Sequence, residues 1–337
     1  MLVAVTVFAH GDSDGVCSAA LIKAALRRTA EEVKVYFTHP AGFLEDFAQF
    51  AQGDVYIADI AIDEGKAEEI ERALEGHKGR VVYIDHHPLP EGFAPRGVEV
   101  VHRLGASASE LTYRYLEESL PQGYDRVALY GAISDYLDHT PWVEEALERW
   151  DKRVVYFEAG VLMQGLEGSR RLHDLKRSVV DHLAENKAPS QHQELLARAL
   201  EQSRINEGLA NWVPHNAKRR GQVAYVLDPP GPLGLAATLA RGLTGALVGV
   251  AAESRPDIYV VSLRAKAGVD LNAFLRAFAK RHEVSAGGHP NAAGARIPKG
   301  LLDALIGELN SWLTDRPAPV NEAKKLKSVY DIENSRR

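Results

Sequence analysis

Two stretches decide how this chain is read: VTVFAHGDSDGVCSAALIKAAL (residues 5–26) and VVYIDHHP (residues 81–88). Each opens as a short, continuous run of β-branched and aromatic residues, the pattern of a strand covered on both faces by helices. Each then turns polar without transition. His10, Asp12 and Asp14 follow the first run, and Asp85, His86 and His87 end the second. Ionisable groups at the ends of buried strands are costly unless something compensates them.

The strand pattern recurs at 2–9, 33–37, 54–60, 80–85 and 98–104, with helix patterns at 15–30, 64–76 and 107–119, the last with Ser107 or Ser109 as N-cap. This alternation predicts an α/β fold with a doubly wound, mostly parallel sheet. From about 125 to 211 the chain reads as a helical extension. The polar, proline-containing segment ENKAPSQHQ (185–193) reads as a hinge. A second, smaller α/β pattern begins near 221 and runs through helices at 233–243 and 270–281, the glycine-rich SAGGHPNAAGARI (285–297) and a last helix at 300–314. The expected organisation is a first domain over 1–185, a helical hinge over 186–220, a second domain over 221–315 and a charged tail over 316–337. The two α/β halves share no internal repeat.

Of the 337 residues, 45% are hydrophobic and 26% charged, which suits a soluble globular protein of two domains. The single cysteine, Cys17, excludes an intramolecular disulfide, and a cytoplasmic location is expected. No apolar run nears the roughly 18 residues that span a bilayer, so no membrane contact is expected. The first apolar run ends in acids, which reads as a strand and not as a signal peptide. The net charge of −6 argues against gripping long duplexes through many phosphates. Any nucleic-acid contact should be local, short or metal-mediated.

In an open parallel sheet, ligands bind beyond the carboxyl ends of the strands. His10, Asp12 and Asp14 follow the first strand, Asp59 and Asp63 the third, and Asp85, His86 and His87 the fourth; Asp135 comes from the later GAISDYLDHTP. Singly, each aspartate reads as a turn former or helix cap, and each histidine as an ordinary one. Three separate buried strands ending this way do not. Converging carboxylates repel and shift upward in pKa unless a cation neutralises them. Carboxylates and imidazoles without a cysteine pair suit Mn2+ better than thiolate-held Zn2+, with Mg2+ or Co2+ as alternatives. The acids are too many for one ion. Two, about 3.5–4 Å apart, would activate water for phosphoester hydrolysis.

These residues resemble the DHH family of phosphoesterases, named for the triplet that stands here as Asp85-His86-His87. The family's first motif is similar to His10-Gly-Asp12-Ser-Asp14-Gly15, its second to Asp59 in IADIAID, and its fourth to Asp135. The accessory domain called DHHA1 is resembled by Ala286-Gly287-Gly288-His289-Pro-Asn-Ala-Ala-Gly294. The resemblance implies that His10 and Asp12 bind one metal, that Asp14, His86 and Asp135 bind a second, and that Asp59 bridges them. Asp85 would orient a neighbouring histidine, and His87 would contact the scissile phosphate or protonate the leaving oxygen. Two departures stand out. Tyr-Leu-Asp-His replaces a common Thr-Gly continuation, so Asp138 competes with Asp135, although the apolar stripe Val127, Leu129, Tyr130 and Ile133 favours Asp135. Ala286 stands where a third glycine is common.

In the second domain, Gly287 and Gly288 are expected to form a turn that opens a helix and offers N–H groups to an anion. His289 would add a donor, and Arg264 would fork onto a phosphate. By resemblance this domain holds the phosphate next to the scissile one, or a terminal nucleotide, and a hinged cleft would close on it. The implied function is a Mn2+-dependent phosphodiesterase acting as an exonuclease, 3′–5′ in preference, on single-stranded DNA or RNA ends or short oligonucleotides. It is most similar to archaeal RecJ-like nucleases and to nanoRNase and 3′-phosphoadenosine 5′-phosphate (pAp) phosphatase members. Some archaeal members work beside replication and repair proteins, a role the tail could serve, and a homo-oligomer is compatible with the sequence. The alternative is a phosphatase or phosphodiesterase acting on pAp or on linear and cyclic dinucleotides. Trp212, Tyr136 and Trp142 are candidate base-stacking residues. A non-enzymatic assembly factor on the same scaffold is disfavoured, because every expected ligand position is filled.

Overall fold

Alternate side chains of a strand point to opposite faces of its sheet, and the first five strands use both faces for burial. The computed structural model describes residues 3–169 and 171–315. Its first part runs β1 (Val3–His10), α1 (Ser13–Leu26), β2 (Ala30–Thr38), α2 (Phe43–Phe50), β3 (Asp54–Ala58), α3 (Ala67–Glu75), β4 (Val81–Asp85) and β5 (Val98–His102). All five strands are parallel, in the order β2-β1-β3-β4-β5. Phe8, Val55, Ile57, Val81 and Tyr83 point to one side and pack with Phe43, Phe47, Ile70 and Leu74 of α2 and α3. Val7, Ala9, Tyr56, Ala58, Val82 and Ile84 point to the other and pack against α1.

Strand order fixes where the polar ends meet. From β1 the chain crosses first to β2 and then back over β1 to β3, so the carboxyl ends of β1 and β3 flank a topological switch point. The expected doubly wound sheet is present.

The helical extension comprises α4 (Ala108–Leu116), α5 (Asp125–Ser134), α6 (Pro141–Glu148), α7 (Lys152–Glu167), α8 (His173–Ala184) and α9 (Gln193–Asn216). Helices α4, α5 and α8 pack around α1, which is why α1 is apolar on almost every side. The chain divides into two units at Ser203/Arg204, within α9. Residues 185–193, read as a hinge, pack on the first unit: Pro189 is buried, and the Ser190 N–H and hydroxyl donate to the Glu158 carboxylate at 2.8 and 2.7 Å.

The second unit continues with β6 (Lys218–Arg220), β7 (Val223–Leu227), α10 (Leu233–Thr244), β8 (Val248–Ser254), β9 (Ile258–Ala265), α11 (Leu271–His282), β10 (Ser285–Gly288), β11 (Ala292–Pro298) and α12 (Leu302–Thr314). Its sheet is mixed, in the order β10-β11-β9-β8-β7-β6, with only β7 and β8 parallel. One expectation is corrected here. The glycine-rich segment opens no helix; it is the antiparallel pair β10–β11, joined through His289, Pro290 and Asn291. Gly287 and Gly288 pair with Gly294 and Ala293, where small residues let the backbones pack closely: a Cβ on Gly288 would lie 2.7 Å from Ala293 Cα. The tail over 316–337 lies outside the described residues. Among these, no helix is long and apolar enough to cross a membrane.

Gly15 shows how tightly the switch point is built. A Cβ there would stand 2.2 Å from the His10 carbonyl oxygen, where α1 abuts the end of β1. Gly15→Ala is expected to cost about 3 kcal/mol in urea denaturation, against less than about 0.5 kcal/mol for Gly300→Ala, whose added Cβ meets nothing within 4 Å.

Candidate metal centre

The β1–α1 turn places three candidate groups. Asp12 caps α1, accepting from Gly15 N at 3.1 Å, while its other oxygen lies 2.7 Å from His10 Nδ1. Asp14, buried in the first turn of α1, accepts from the Ala108 and Ser109 N–H groups at 2.7 and 2.9 Å, at the N-terminus of α4. Gly131 of α5 leaves room for it: a Cβ there would meet Asp14 Oδ1 at 2.7 Å.

Asp59 follows β3 with φ at +60°, a left-handed conformation uncommon outside glycine, which aspartate and asparagine adopt more readily than other residues. Its side chain is 3% exposed. Oδ1 lies 3.3 Å from His86 Nε2 and Oδ2 lies 3.8 Å from His10 Nδ1, but Oδ2 has no hydrogen-bond partner. At the end of β4, buried Asp85 accepts from Tyr83 OH at 2.9 Å and from the His87 N–H at 3.2 Å. Its second oxygen stands 2.9 Å from His87 Nδ1, so His87 is the histidine it orients. Asp135, at the carboxyl end of α5, comes within 3.5 Å of His86 Nε2. Asp138 accepts from Tyr156 OH at 2.5 Å instead, and Asp63 caps a turn by accepting from Gly65 N at 2.9 Å.

Three groupings have donor atoms close enough to share an ion: His10, Asp12 and Asp59; Asp14, His86 and Asp135; and Asp59, Asp85, His86 and His87. Asp59 thus belongs to one trio and touches a member of the other. The electrostatics agree with a missing positive charge. Burial, then the charges of Asp12, Asp14, Asp85 and Asp135, push the Asp59 carboxyl well above the usual range. Burial raises Asp14 as well, and together with Asp14 and Asp12 it lifts Asp135 to about 8. Asp12 goes the other way: burial opposes its ionisation, but the adjacent His10 holds it below the usual range. His87 is raised by Asp85 despite burial, and His86 is lowered by burial. An orphaned buried carboxylate oxygen among acids that resist ionisation fits divalent cations with oxygen and imidazole ligands.

Lys176 carried no sequence signal, lying in an ordinary amphipathic stretch of α8. Its buried ammonium donates to the Gly11 carbonyl at 2.5 Å, between His10 and Asp12, and sits 5.8 Å from the Phe37 ring. A Cβ on Gly11 would meet Nζ at 2.5 Å.

In the second unit, register brings Arg264, Gly287, Gly288 and His289 to one end of the sheet: Arg264 pairs with Ala292, next to the Gly288–Ala293 pair. The Arg264 Nη1 donates to Ser262 Oγ at 3.0 Å and to the Leu263 carbonyl at 2.9 Å, and its Nη2 lies over Gly234 in the first turn of α10. Two N–H groups expected to face an anion are engaged inside the unit, that of Gly288 with Asn272 Oδ1 at 3.2 Å and that of His289 with the Ala292 carbonyl at 2.8 Å. Asn272 was not singled out in the sequence. Of the three stacking candidates, Tyr136 is 79% exposed beside Asp135, whereas Trp142 packs on Tyr113 and Trp212 on the core beneath α10.

The metal-free fold resists ionisation of Asp59, and replacing its carboxyl by an amide removes that cost. Asp59→Asn keeps a residue tolerant of positive φ, and is expected to raise the metal-free Tm by about 2–4 °C while abolishing the Tm gain from Mn2+. Between 3.8 and about 8 the folded protein holds a proton on Asp135 that the unfolded chain has released, so stability falls as pH rises through that window. A bound cation competes with that proton. The Tm gain on adding Mn2+ or Mg2+ should therefore grow between pH 6 and pH 8, and a pH-independent gain would contradict this. Lys176→Met and Gly11→Ala should each weaken Mn2+ binding in calorimetry, and the double variant should match the worse single within about 0.5 kcal/mol.

With the geometry in place, the chain can be set beside known proteins. Residues 4–138 match the N-terminal domain of the DHH family, and residues 223–315 match the DHHA1 domain. Comparison with curated proteins yields no match. Among solved structures, the chain is similar to RecJ from Thermus thermophilus in complex with Mn2+, at 19% identity and a TM-score of 0.68, over 94% of this chain and 53% of that one. The chain thus spans about half the length of that RecJ. It is also similar to exonuclease RecJ bound to manganese (18% identity, TM-score 0.58, 95% of this chain and 92% of that one). A third neighbour is the pGpG-specific phosphodiesterase PggH from Vibrio cholerae (11% identity, TM-score 0.58, 92% and 99%). At these identities the likenesses speak for the fold. The two domain matches, in order, show that the first unit carries the N-terminal domain of the DHH family and the second a DHHA1 domain.

Proposed function

We propose that the chain hydrolyses phosphodiester bonds at the ends of short single-stranded DNA or RNA, with two divalent cations, Mn2+ in preference. The observation that carries this reading is Asp59, which belongs to one ligand trio, touches His86 of the other, and has one buried oxygen with no hydrogen-bond partner. His10 and Asp12 would hold one ion, Asp14, His86 and Asp135 the other, and Asp59 both. Bound there, divalent cations polarise the phosphate and lower the pKa of water.

The remaining work falls to this chain's own groups. Asp85 accepts from Nδ1 of His87 and fixes the ring, and Nε2 of that ring would carry a proton to the leaving oxygen. The raised pKa of His87 keeps that proton available near neutrality, so the rate should fall as pH rises past it. His102 Nε2 lies 2.6 Å from the His87 carbonyl and helps hold this residue in place. In the second unit, Arg264 and His289 would bind a neighbouring phosphate beside Gly287 and Gly288. The net charge of −6 disfavours long duplexes and supports short or terminal substrates.

A second reading is a small-molecule activity on pAp or on dinucleotides. Tyr136 is the only one of the three stacking candidates that stands exposed beside the centre, and one stacking position suits one or two nucleotides. One of the structural neighbours is a pGpG-specific phosphodiesterase.

With Mn2+, a labelled single-stranded ladder is expected to shorten from one end, with 3′–5′ polarity read by 5′ and 3′ labels. If oligomers longer than a dinucleotide stay intact while a dinucleotide or pAp is hydrolysed, the second reading replaces the first. Asp59→Ala and His86→Ala should each cut kcat by on the order of 10³-fold in a folded protein, and retained activity in both removes the ligand assignment. Arg264→Ala should mainly raise KM.

A further inference from the structure

Helix α7 lies outside the proposed catalytic machinery and shows solvent an apolar face. Its inner side, Val155, Ala159, Leu162 and Leu166, is buried in the core of the first unit. On its outer side Phe157 is 58% exposed, with Tyr156 and Met163 also exposed. A soluble domain has no folding reason to gather such side chains on one helix.

The outer face is symmetric about Gly160. Phe157 and Met163 stand three residues to either side, Arg153 and Glu167 seven, and Tyr156 four residues before it. Offsets of three, four and seven share one helix face. A Cβ built on Gly160 meets nothing within 4 Å, so a second helix could approach its backbone there. We propose that this face pairs with a second copy of the chain, two α7 helices crossing antiparallel at Gly160 about a two-fold axis.

The pairing is self-complementary, as an isologous interface requires. Phe157 meets Met163 of the partner subunit, and Arg153 meets Glu167 of the partner subunit, apolar against apolar and cation against anion. Arg153 now pairs with Asp151 at 2.8 Å, and Glu167 also has a partner within its own chain. Surface pairings of this kind are worth at most about 1 kcal/mol, so exchanging them is cheap. A single helix pair lies at the small end of specific interfaces, which points to a reversible dimer with a Kd in the micromolar range.

Sedimentation of the full chain from about 1 to about 200 μM tests this. The expected result is a concentration-dependent monomer–dimer equilibrium. Phe157→Glu should abolish it, and Gly160→Leu should weaken it at least about 10-fold while improving the helix propensity of the monomer. Arg153→Glu and Glu167→Arg should each weaken the dimer, and the double variant should restore it. A monomer throughout the range overturns the proposal, as does a dimer indifferent to Phe157→Glu or a charge reversal that does not restore association. Circular dichroism of each variant separates misfolding from lost association.

Discussion

A buried aspartate surrounded by other acids cannot stand in a folded protein without a positive counterpart, and Asp59 holds that position here. It lies at the switch point of the parallel sheet, in a left-handed backbone conformation, with one oxygen toward the β1 turn and the other toward His86. Protonation relieves the repulsion when no cation is bound, and a bound divalent cation would relieve it in its place. The surroundings are arranged about this carboxylate. Asp14 is held by two N–H groups of α4, Asp85 is used up in orienting His87, and Lys176 anchors the Gly11 carbonyl between two candidate ligands. The site accepts instability in exchange for a gap of defined charge, as functional sites commonly do.

Much of this was legible in the sequence because buried strands and polar ends give opposite signals at adjacent positions. His10, Asp59 and Asp85 each break a continuous apolar run, and the parallel topology sends all such breaks to one edge. Asp135 was separable from Asp138 by its place after the apolar stripe of α5, and the structure brings Asp135 to His86 while Asp138 accepts from Tyr156. Nothing local marks Lys176 or Asn272. A lysine on an amphipathic helix and an asparagine in the first turn of another look the same whether they face solvent or a loop distant in sequence.

The glycine-rich segment was misread for a related reason. Gly-Gly-His with flanking alanines has no apolar periodicity, so a turn before a helix and a strand of small residues fit it equally well. Pairing settles it: β11 lies between β10 and β9, and β10 supplies the outer edge. Residues 185–193 read as a hinge from their polarity and a proline. Ser190, which supplies part of that polarity, bonds inward to Glu158, a contact that composition does not reveal.

The most direct test of the account is anomalous diffraction at the manganese edge from crystals soaked in Mn2+. Two peaks flanking Asp59, one among His10 and Asp12 and the other among Asp14, His86 and Asp135, are expected. Ordered side chains in these positions with no peak between them, or a single ion that leaves Asp59 out, would contradict it.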